Sequence, residues 1–258
     1  VIVEKNSKNP VVEVASKLKI PICEIKVDEN SLSGDFNIFE KTSNYQLPTE
    51  DSEALVLHTS GTTSRPKIVP LSNKNIYSSA ENISESLNLT FKDHCLNIMP
   101  LFHIHGLIAV LAASMKVGAS VCASSGFNAL KFLDNAKREK ITWYSGVPTM
   151  HQAILMRADK NIETAKNLSL RFLRSSSASL PPAVFEKLNQ VFNCPVIEAY
   201  GMTEATHQMT SNPMPPKLQK AGYVGIPAGP EVCIMDRSNK ILDQGEEGEV
   251  CIKGENVT

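Results

Sequence analysis

Apolar positions recur along this chain in two alternating periods. Short apolar runs at Leu96–Met99, Ala119–Cys122, Ile141–Tyr144, Arg171–Arg174 and Val196–Ala199 are separated by stretches of helical spacing. Those stretches are Leu107–Met115, Ala129–Lys140, Pro148–Arg157 and Pro182–Phe192, two of which open at proline, a residue favoured in the first helical turn. Strand and helix in alternation predict a layered α/β domain around a largely parallel, buried sheet. Further towards the start, Ala54–Leu57 reads as a buried strand and Ser72–Leu87 as a helix. Before them come an extended Val1–Val3, a short helix at Asn9–Leu18 and a strand at Ile20–Val27; the polar, aperiodic Asp28–Asp51 reads as a connector.

Past Tyr200 the texture changes. Prolines and glycines cluster, and Glu231–Met235 and Glu249–Lys253 alternate around the turn residues Asp243-Gln244-Gly245, the pattern of a β-rich subdomain. The expected organisation is therefore residues 1–50 as the end of a preceding subdomain with its connector, 51–222 as an α/β core and 223–258 as the β-rich part. Both ends read as cut, and the chain is expected to be a segment of a longer protein.

Composition narrows this little. A formal net charge of −1 gives no electrostatic reason to expect nucleic acid or an anionic membrane as a partner. The six cysteines are scattered, mostly inside apolar runs, without a Cys-x-x-Cys pair, and read as reduced core residues of a cytosolic-type protein. The longest apolar stretch, Gly106–Met115, is too short to span a bilayer, and no signal peptide is visible at Val1. A peroxisomal address would lie past Thr258, and oligomeric state is not legible.

Candidate chemistry begins at Thr59-Ser60-Gly61-Thr62-Thr63-Ser64-Arg65-Pro66-Lys67. A loop dense in hydroxyl and backbone N–H donors, set after a strand and ending in a cation, suits a row of phosphate oxygens. A polar surface loop is the plain alternative. A Walker loop is excluded, since Pro66 and Ile68 stand where it needs glycine and a hydroxyl residue around the lysine. His103 and His105, one residue apart, are a weak metal signal without a third ligand cluster, and His105 reads as a satisfied structural histidine.

The hydroxyl run resembles, residue by residue, the phosphate loop of the acyl-adenylate-forming superfamily, the AMP-dependent synthetases and ligases that include acyl-CoA synthetases, coumarate CoA ligases and luciferases. Relatives usually carry glycine where Ser64 and Ile68 stand. Ser175-Ser176-Ser177-Ala178-Ser179-Leu180 resembles that superfamily's Gly-Ala-Ala-Pro-Leu segment. Glu198-Ala199-Tyr200-Gly201-Met202-Thr203-Glu204 matches its adenine and metal segment; taken alone, the string is also an ordinary strand-to-helix turn with Thr203 as the cap and Glu204 in the first turn. Gly222–Pro227 and Gly248–Gly254 resemble two further segments, with Lys253 where arginine is usual.

The resemblance implies the layered αβαβα large N-terminal domain of such an enzyme, with the β-rich subdomain near its end. It also implies ATP (leaving AMP), Mg²⁺ and coenzyme A. Thr59, Ser60, Gly61, Thr62, Thr63 and Lys67 would grip phosphates, Ala178 would let a purine approach, and Glu198, Ala199 and Tyr200 would frame the adenine. Thr203 would bond the α-phosphate or acyl oxygen, Glu204 would ligate Mg²⁺, and His103 would stand beside the reacting carboxylate. The aspartate that holds the ribose and the small domain with the catalytic lysine would lie past Thr258.

Ser177, His103 and His207 concentrate polar donors at the acyl end, where a fatty or aromatic acid would want apolar lining. That favours a small, doubly charged acid, and oxalate fits; the same segments resemble the oxalate-activating branch of the superfamily. For His207, a solvent-facing helical histidine is the competing reading. A CoA ligase for an aromatic or medium-chain acid and a non-catalytic adenylate-binding module are the alternatives.

Overall fold

The structure, a computed structural model, describes residues 1–26, 47–59 and 66–258. Most of the expected connector, together with Ser60, Gly61, Thr62 and Thr63, lies outside the described residues. The chain divides into two compact units, Val1–Leu47 and Pro48–Thr258. In the first, strand β1 (Ile2–Glu4) pairs in parallel with β2 (Cys23–Ile25), and helix α1 (Pro10–Lys17) connects them. Asn9 caps that helix by accepting the Val11 N–H at 3.0 Å, with proline at the first helical position.

The second unit opens with an antiparallel ribbon of β3 (Glu53–Thr59) and β4 (Lys67–Ser72), whose ends pair Thr59 with Lys67. This corrects the reading of Ala54–Leu57 as a buried strand: Leu55 and Leu57 are half-buried, while Ala54 and Val56 are exposed. A two-stranded ribbon has only one face to bury, and a continuous apolar run does not reveal which. The sequence does not announce β4, because Pro70 stands inside it, a residue that sheets accept in edge strands such as this one. The hydroxyl run thus joins strand to strand rather than strand to helix. Helix α2 (Asn73–Ser86) then starts at a reciprocal cap: Ser72 Oγ accepts the Asn75 N–H at 3.1 Å and Asn75 Oδ1 accepts the Ser72 N–H at 2.9 Å.

The central sheet follows. Its strands β5 (His94–Asn97), β6 (Ser120–Ala123), β7 (Trp143–Gly146), β8 (Phe172–Ser175) and β9 (Val196–Met202) are parallel, and β10 (His207–Ser211) and β11 (Ile226–Pro227) complete it antiparallel. The spatial order is β11-β10-β9-β8-β7-β5-β6. Crossovers run through a π-helical turn at His105–Ala112 that continues into α3 (Ala113–Lys116), then α4 (Phe132–Glu139), α5 (Pro148–Ala158), α6 (Ile162–Lys166) and α7 (Pro182–Phe192). On one face of the sheet Tyr144 and Leu173 pack with Phe132, Ile154 and Leu188 of α4, α5 and α7. On the other, Trp143, Phe172 and Ile197 pack with Ile83 of α2 and Ile108 of the π-helical turn, the Trp143 and Phe172 rings stacked at 5.3 Å. Helix, sheet and helix are three successive layers of the expected α/β layering. β12 (Glu231–Met235) and β13 (Glu249–Lys253), the two stretches of strand alternation, pair as an antiparallel ribbon.

Of the six cysteines only Cys95 and Cys194 are buried; the other four are half-buried. No helix among the described residues is long and apolar enough to cross a membrane.

Two constraints hold the sheet at its ends. At the start of the parallel strands Asp93, 2% exposed, accepts from Arg171 Nε at 2.8 Å and Nη2 at 2.9 Å, from Thr142 Oγ1 at 2.8 Å and from the Thr90 N–H at 2.9 Å. Burial alone would raise its pKa; the Arg171 guanidinium, the Thr90 N–H and the Thr142 hydroxyl outweigh burial and hold it below the ordinary value. At the far end, β9 turns back into β10 so tightly that a Cβ on Gly201 would lie 1.5 Å from the His207 carbonyl oxygen. Thr206 and His207 take φ of 48° and 95°, a region unfavourable for side-chain-bearing residues. The turn is held from outside: Ser79 Oγ donates to the Thr206 carbonyl at 2.5 Å, and Asn256 Nδ2 donates to the Ala205 and Gln208 carbonyls at 2.8 and 3.1 Å.

Because the folded Asp93 pKa lies below the unfolded one, its stabilisation is complete above about pH 4 and is lost as pH falls through the folded value. Asp93→Asn is expected to lose about 2 kcal/mol at neutral pH, with the gap to wild type closing in acid. Urea midpoints at neutral and acid pH measure it, and a gap that persists in acid would refute the linkage. Gly201→Ala is expected to lose about 4 kcal/mol or more through the collision with His207. Gly245→Ala, where an added Cβ meets nothing within 4 Å, should lose only the cost of a left-handed φ, about 1 kcal/mol. Thermal unfolding of the pair separates them, and equal losses would contradict the collision.

Candidate active site

Parallel strands end side by side, so whatever follows their carboxyl ends is gathered along one edge, the usual place for a ligand in an open α/β sheet. Here the segments after β5, β8 and β9 are Met99–His105, Ser176–Leu180 and the Thr203–Ala205 turn, with Tyr200 in the last turn-ward part of β9. Glycine at 106 is what lets the first of them fold back, since a Cβ there would sit 2.5 Å from the Pro100 carbonyl oxygen.

At the centre is His105, fully buried at the start of the π-helical turn. Its Nδ1 lies 3.0 Å from Ser177 Oγ and its Nε2 2.6 Å from Ser145 Oγ. A neutral imidazole donates from one nitrogen and accepts at the other, so Ser145, His105 and Ser177 form one hydrogen-bonded chain that runs from the sheet to the exposed Ser177. Ser177 itself is held at a φ of 71°. The His207 ring lies 5.1 Å from that of His105, tilted by 52°. His103 stands at the exposed side of the same segment, and its Nδ1 accepts the His105 N–H at 3.1 Å. That bond leaves the Nε2 of a neutral His103 as a donor to solvent or ligand.

The three residues expected as acyl-end donors, His103, Ser177 and His207, are therefore neighbours, with His105 as the link. His207 is the first residue of β10 and is 2% exposed, which removes the helical, solvent-facing reading. The strand-to-helix turn considered for Thr203 and Glu204 is instead a single 3₁₀ turn inside a β-hairpin. Thr203 and Glu204 are half-buried on it, and Tyr200 is 38% exposed. Ala178 is exposed on the serine-rich loop.

Glu198 and Ala199 face inward. Glu198 Oε1 accepts the Leu180 N–H at 3.1 Å and the Ala199 carbonyl accepts from Ser176 Oγ at 2.9 Å, so this pair fixes the serine-rich loop to β9. Burial raises the Glu198 pKa, partly offset by the N–H groups it accepts from. Thr59 and Lys67 pair across the ends of their ribbon; Ser60, Gly61, Thr62 and Thr63 between them lie outside the described residues.

Beneath the two buried imidazoles lies Arg174, 0% exposed, on the row of the sheet shared with Ser145 and Ile197. Its Nη2 donates to Gln208 Oε1 at 3.0 Å, while Nε and Nη1 have no partner among the described residues. Burial lowers its pKa, but a guanidinium keeps its proton at neutral pH. Burial first, and then the Arg174 charge, push His105 and His207 well below the ordinary histidine range, so both are neutral. From the sequence, His105 is reached only as a structural histidine, and Ser145, Arg174 and Gln208 are not reached. The available signal was period two: Ser145 and Arg174 each stand two residues after a buried aromatic, Trp143 and Phe172, and so on its face of the sheet.

Among the described residues no group of three His, Cys, Asp or Glu side chains could cage a metal. Glu204 makes no ion pair among them and could give one oxygen to Mg²⁺, an ion that keeps water and phosphate oxygens for its remaining positions. A separate cavity of about 630 Å³, lined by Asn82, Ser86, Asn212, Pro216 and Ile226, carries no thiol or imidazole.

Known proteins resemble this arrangement in sequence and in fold. Oxalate–CoA ligase of Arabidopsis thaliana is 44% identical over 98% of this chain and 51% of its own length. Oxalate–CoA ligase of Saccharomyces cerevisiae is 47% identical over 80% of this chain and 37% of its own. The chain thus spans about half or less of the curated relatives it matches. Among solved structures, ATP-bound MatB from Rhodopseudomonas palustris superposes with a TM-score of 0.84 at 26% identity, covering 100% of this chain and 50% of that one. O-succinylbenzoate coenzyme A synthetase (MenE) from Bacillus subtilis, in complex with ATP and magnesium ion, gives 0.78 at 27% identity over 99% and 50%. The AMP-binding enzyme family pattern matches residues 1–258, and the chain belongs to that family.

Proposed function

We propose that the protein of which these residues form part activates a small carboxylic acid, with oxalate favoured, in two steps. A carboxylate oxygen attacks the α-phosphorus of ATP, the bond to pyrophosphate breaks, and an acyl-adenylate forms. The thiol of coenzyme A then gives up its proton, bonds to the acyl carbon and displaces AMP. The observation that carries this reading is the meeting of Ser177, His105 and His207 at the carboxyl edge of the sheet that also bears Tyr200, Thr203 and Glu204.

Each residue has a task suited to its chemistry. Tyr200 offers a flat, exposed ring for the adenine. Ala178 leaves the backbone open to close approach, while Glu198 holds that loop in place through Leu180. Thr203 donates to the oxygen that gains charge during adenylation, where a fixed donor counts most. His103 and Ser177 donate to the acid, and the neutral rings of His105 and His207 keep that end polar without adding acid–base ambiguity. Mg²⁺, held by Glu204, would supply charge neutralisation for the phosphates. Thr59 and Lys67, with the loop between them, would hold the pyrophosphate end.

The polar acyl end also argues against an aromatic or medium-chain acid, whose body would leave these donors unpaired. The curated relatives named for oxalate support the same choice.

In the full-length protein, pyrophosphate release is expected to be fastest with oxalate among oxalate, coumarate and octanoate; equal rates would defeat the oxalate assignment. Glu204→Gln and Thr203→Val should each lower that release by about 100-fold, the scale of losing one stabilising group aimed at developing charge. A full-length protein inert with every acid would instead favour a non-catalytic adenylate-binding module.

A further inference from the structure

Two arginines sit in or beside β8, and they have opposite fates. Arg171 is paired with Asp93 by two hydrogen bonds. Arg174 is fully buried, has no carboxylate within ion-pair distance among the described residues, and satisfies only Nη2, on Gln208. Gln208 cannot neutralise it and is itself spent on two further bonds, from Nε2 to Ser86 Oγ and to the Ala228 carbonyl. A buried, uncompensated charge is among the costliest features a fold can carry, and apolar side chains of similar volume are commonly more stable in its place. Packing alone therefore does not explain Arg174.

The neighbourhood shows where that charge acts. Arg174 shares its face of the sheet with Ser145, which is bonded to His105, and its charge is felt by both His105 and His207. His105 links Ser145, the register partner of Arg174, to the exposed Ser177, and the His207 ring lies beside it, so a carboxylate resting on Ser177 would meet neutral imidazole with one permanent cation on the same face of the sheet. Imidazoles alone would provide dipoles, and a protonated imidazole would provide a charge only in acid. A guanidinium provides it at every physiological pH.

We propose that Arg174 is the specificity-determining residue of the acyl pocket, a positioning cation that selects small dicarboxylates by balancing their second negative charge through His105 and His207 rather than by touching it. This rests on the acid-activation reading above. Through-space balancing in a partly desolvated site discriminates dianion from monoanion of the same size, and does so without a pocket closing around the second carboxylate.

The test uses the full-length protein with oxalate and with glycolate, an acid of similar size and one negative charge. For Arg174→Met the ratio of kcat/KM for oxalate to that for glycolate is expected to fall about 30-fold or more. Arg174→Lys should restore part of the ratio, and the ligand-free Tm of Arg174→Met should stay level or rise, since an unpaired buried charge is gone. An unchanged ratio, or a lowered ligand-free Tm with both acids losing equally, would overturn the inference in favour of a structural role. Thermal shift by oxalate alone separates this from failure of the activity reading. If wild type turns over no acid yet is stabilised by oxalate, and Arg174→Met is not, the charge selection stands while the ligase assignment falls. If oxalate stabilises wild type and Arg174→Met alike, charge selection falls, whatever the turnover.

Discussion

The tightest packing at any described glycine, the Gly201 backbone against the His207 carbonyl, governs the geometry of the turn at the carboxyl edge of the sheet. It forces β10 to return antiparallel immediately after a parallel strand, and it forces Thr206 and His207 into left-handed backbone. Strain of that kind persists only where the surroundings over-determine it. Ser79 from α2 and Asn256 from beyond β13 supply that determination by taking up the turn's carbonyls. The result is that Thr203 and Glu204 are presented on a turn whose shape is set by contacts from both of these segments, while His207 is tucked behind it against His105.

Electrostatics then divides the sheet lengthwise. At the amino edge a carboxylate, a guanidinium and two threonines satisfy one another, and the charge is spent on holding strands β5, β7 and β8 in register. At the carboxyl edge the charge of Arg174 is left over, and the imidazoles beside it are driven neutral by burial and by that charge together. One edge is therefore closed in the electrostatic sense and the other open.

Much of this was legible in the residues, and the failures have physical causes. The α/β alternation and the ends of α7 at Pro182 and Phe192 were readable because proline marks the start and apolar spacing the body of that helix. The ribbon of β3 and β4 was misread because an apolar run reports hydrophobicity and not which face is covered, and Pro70 masked its second strand. The hairpin after Met202 was missed because a Thr-Glu pair is an equally good helix start, and only the tertiary demand of Gly201 decides against it. At the site, Ser177, His103 and His207 could be named from motif resemblance. His105 was set aside as structural and proved to be both buried and the link between the others, since burial and participation are not alternatives for a histidine with two nitrogens. Arg174 was hidden in plain view as the end of a strand, where a charged residue is easily taken for the strand's edge.

The Asp93 cluster and the serine–histidine chain lie at opposite ends of the same strands and share no side chain. A lineage could therefore exchange residues at the carboxyl edge, and with them whatever is bound there, while the fold's tolerance of heat and acid was inherited unchanged from the amino edge. Descendants with new appetites would be expected to keep the old clamp.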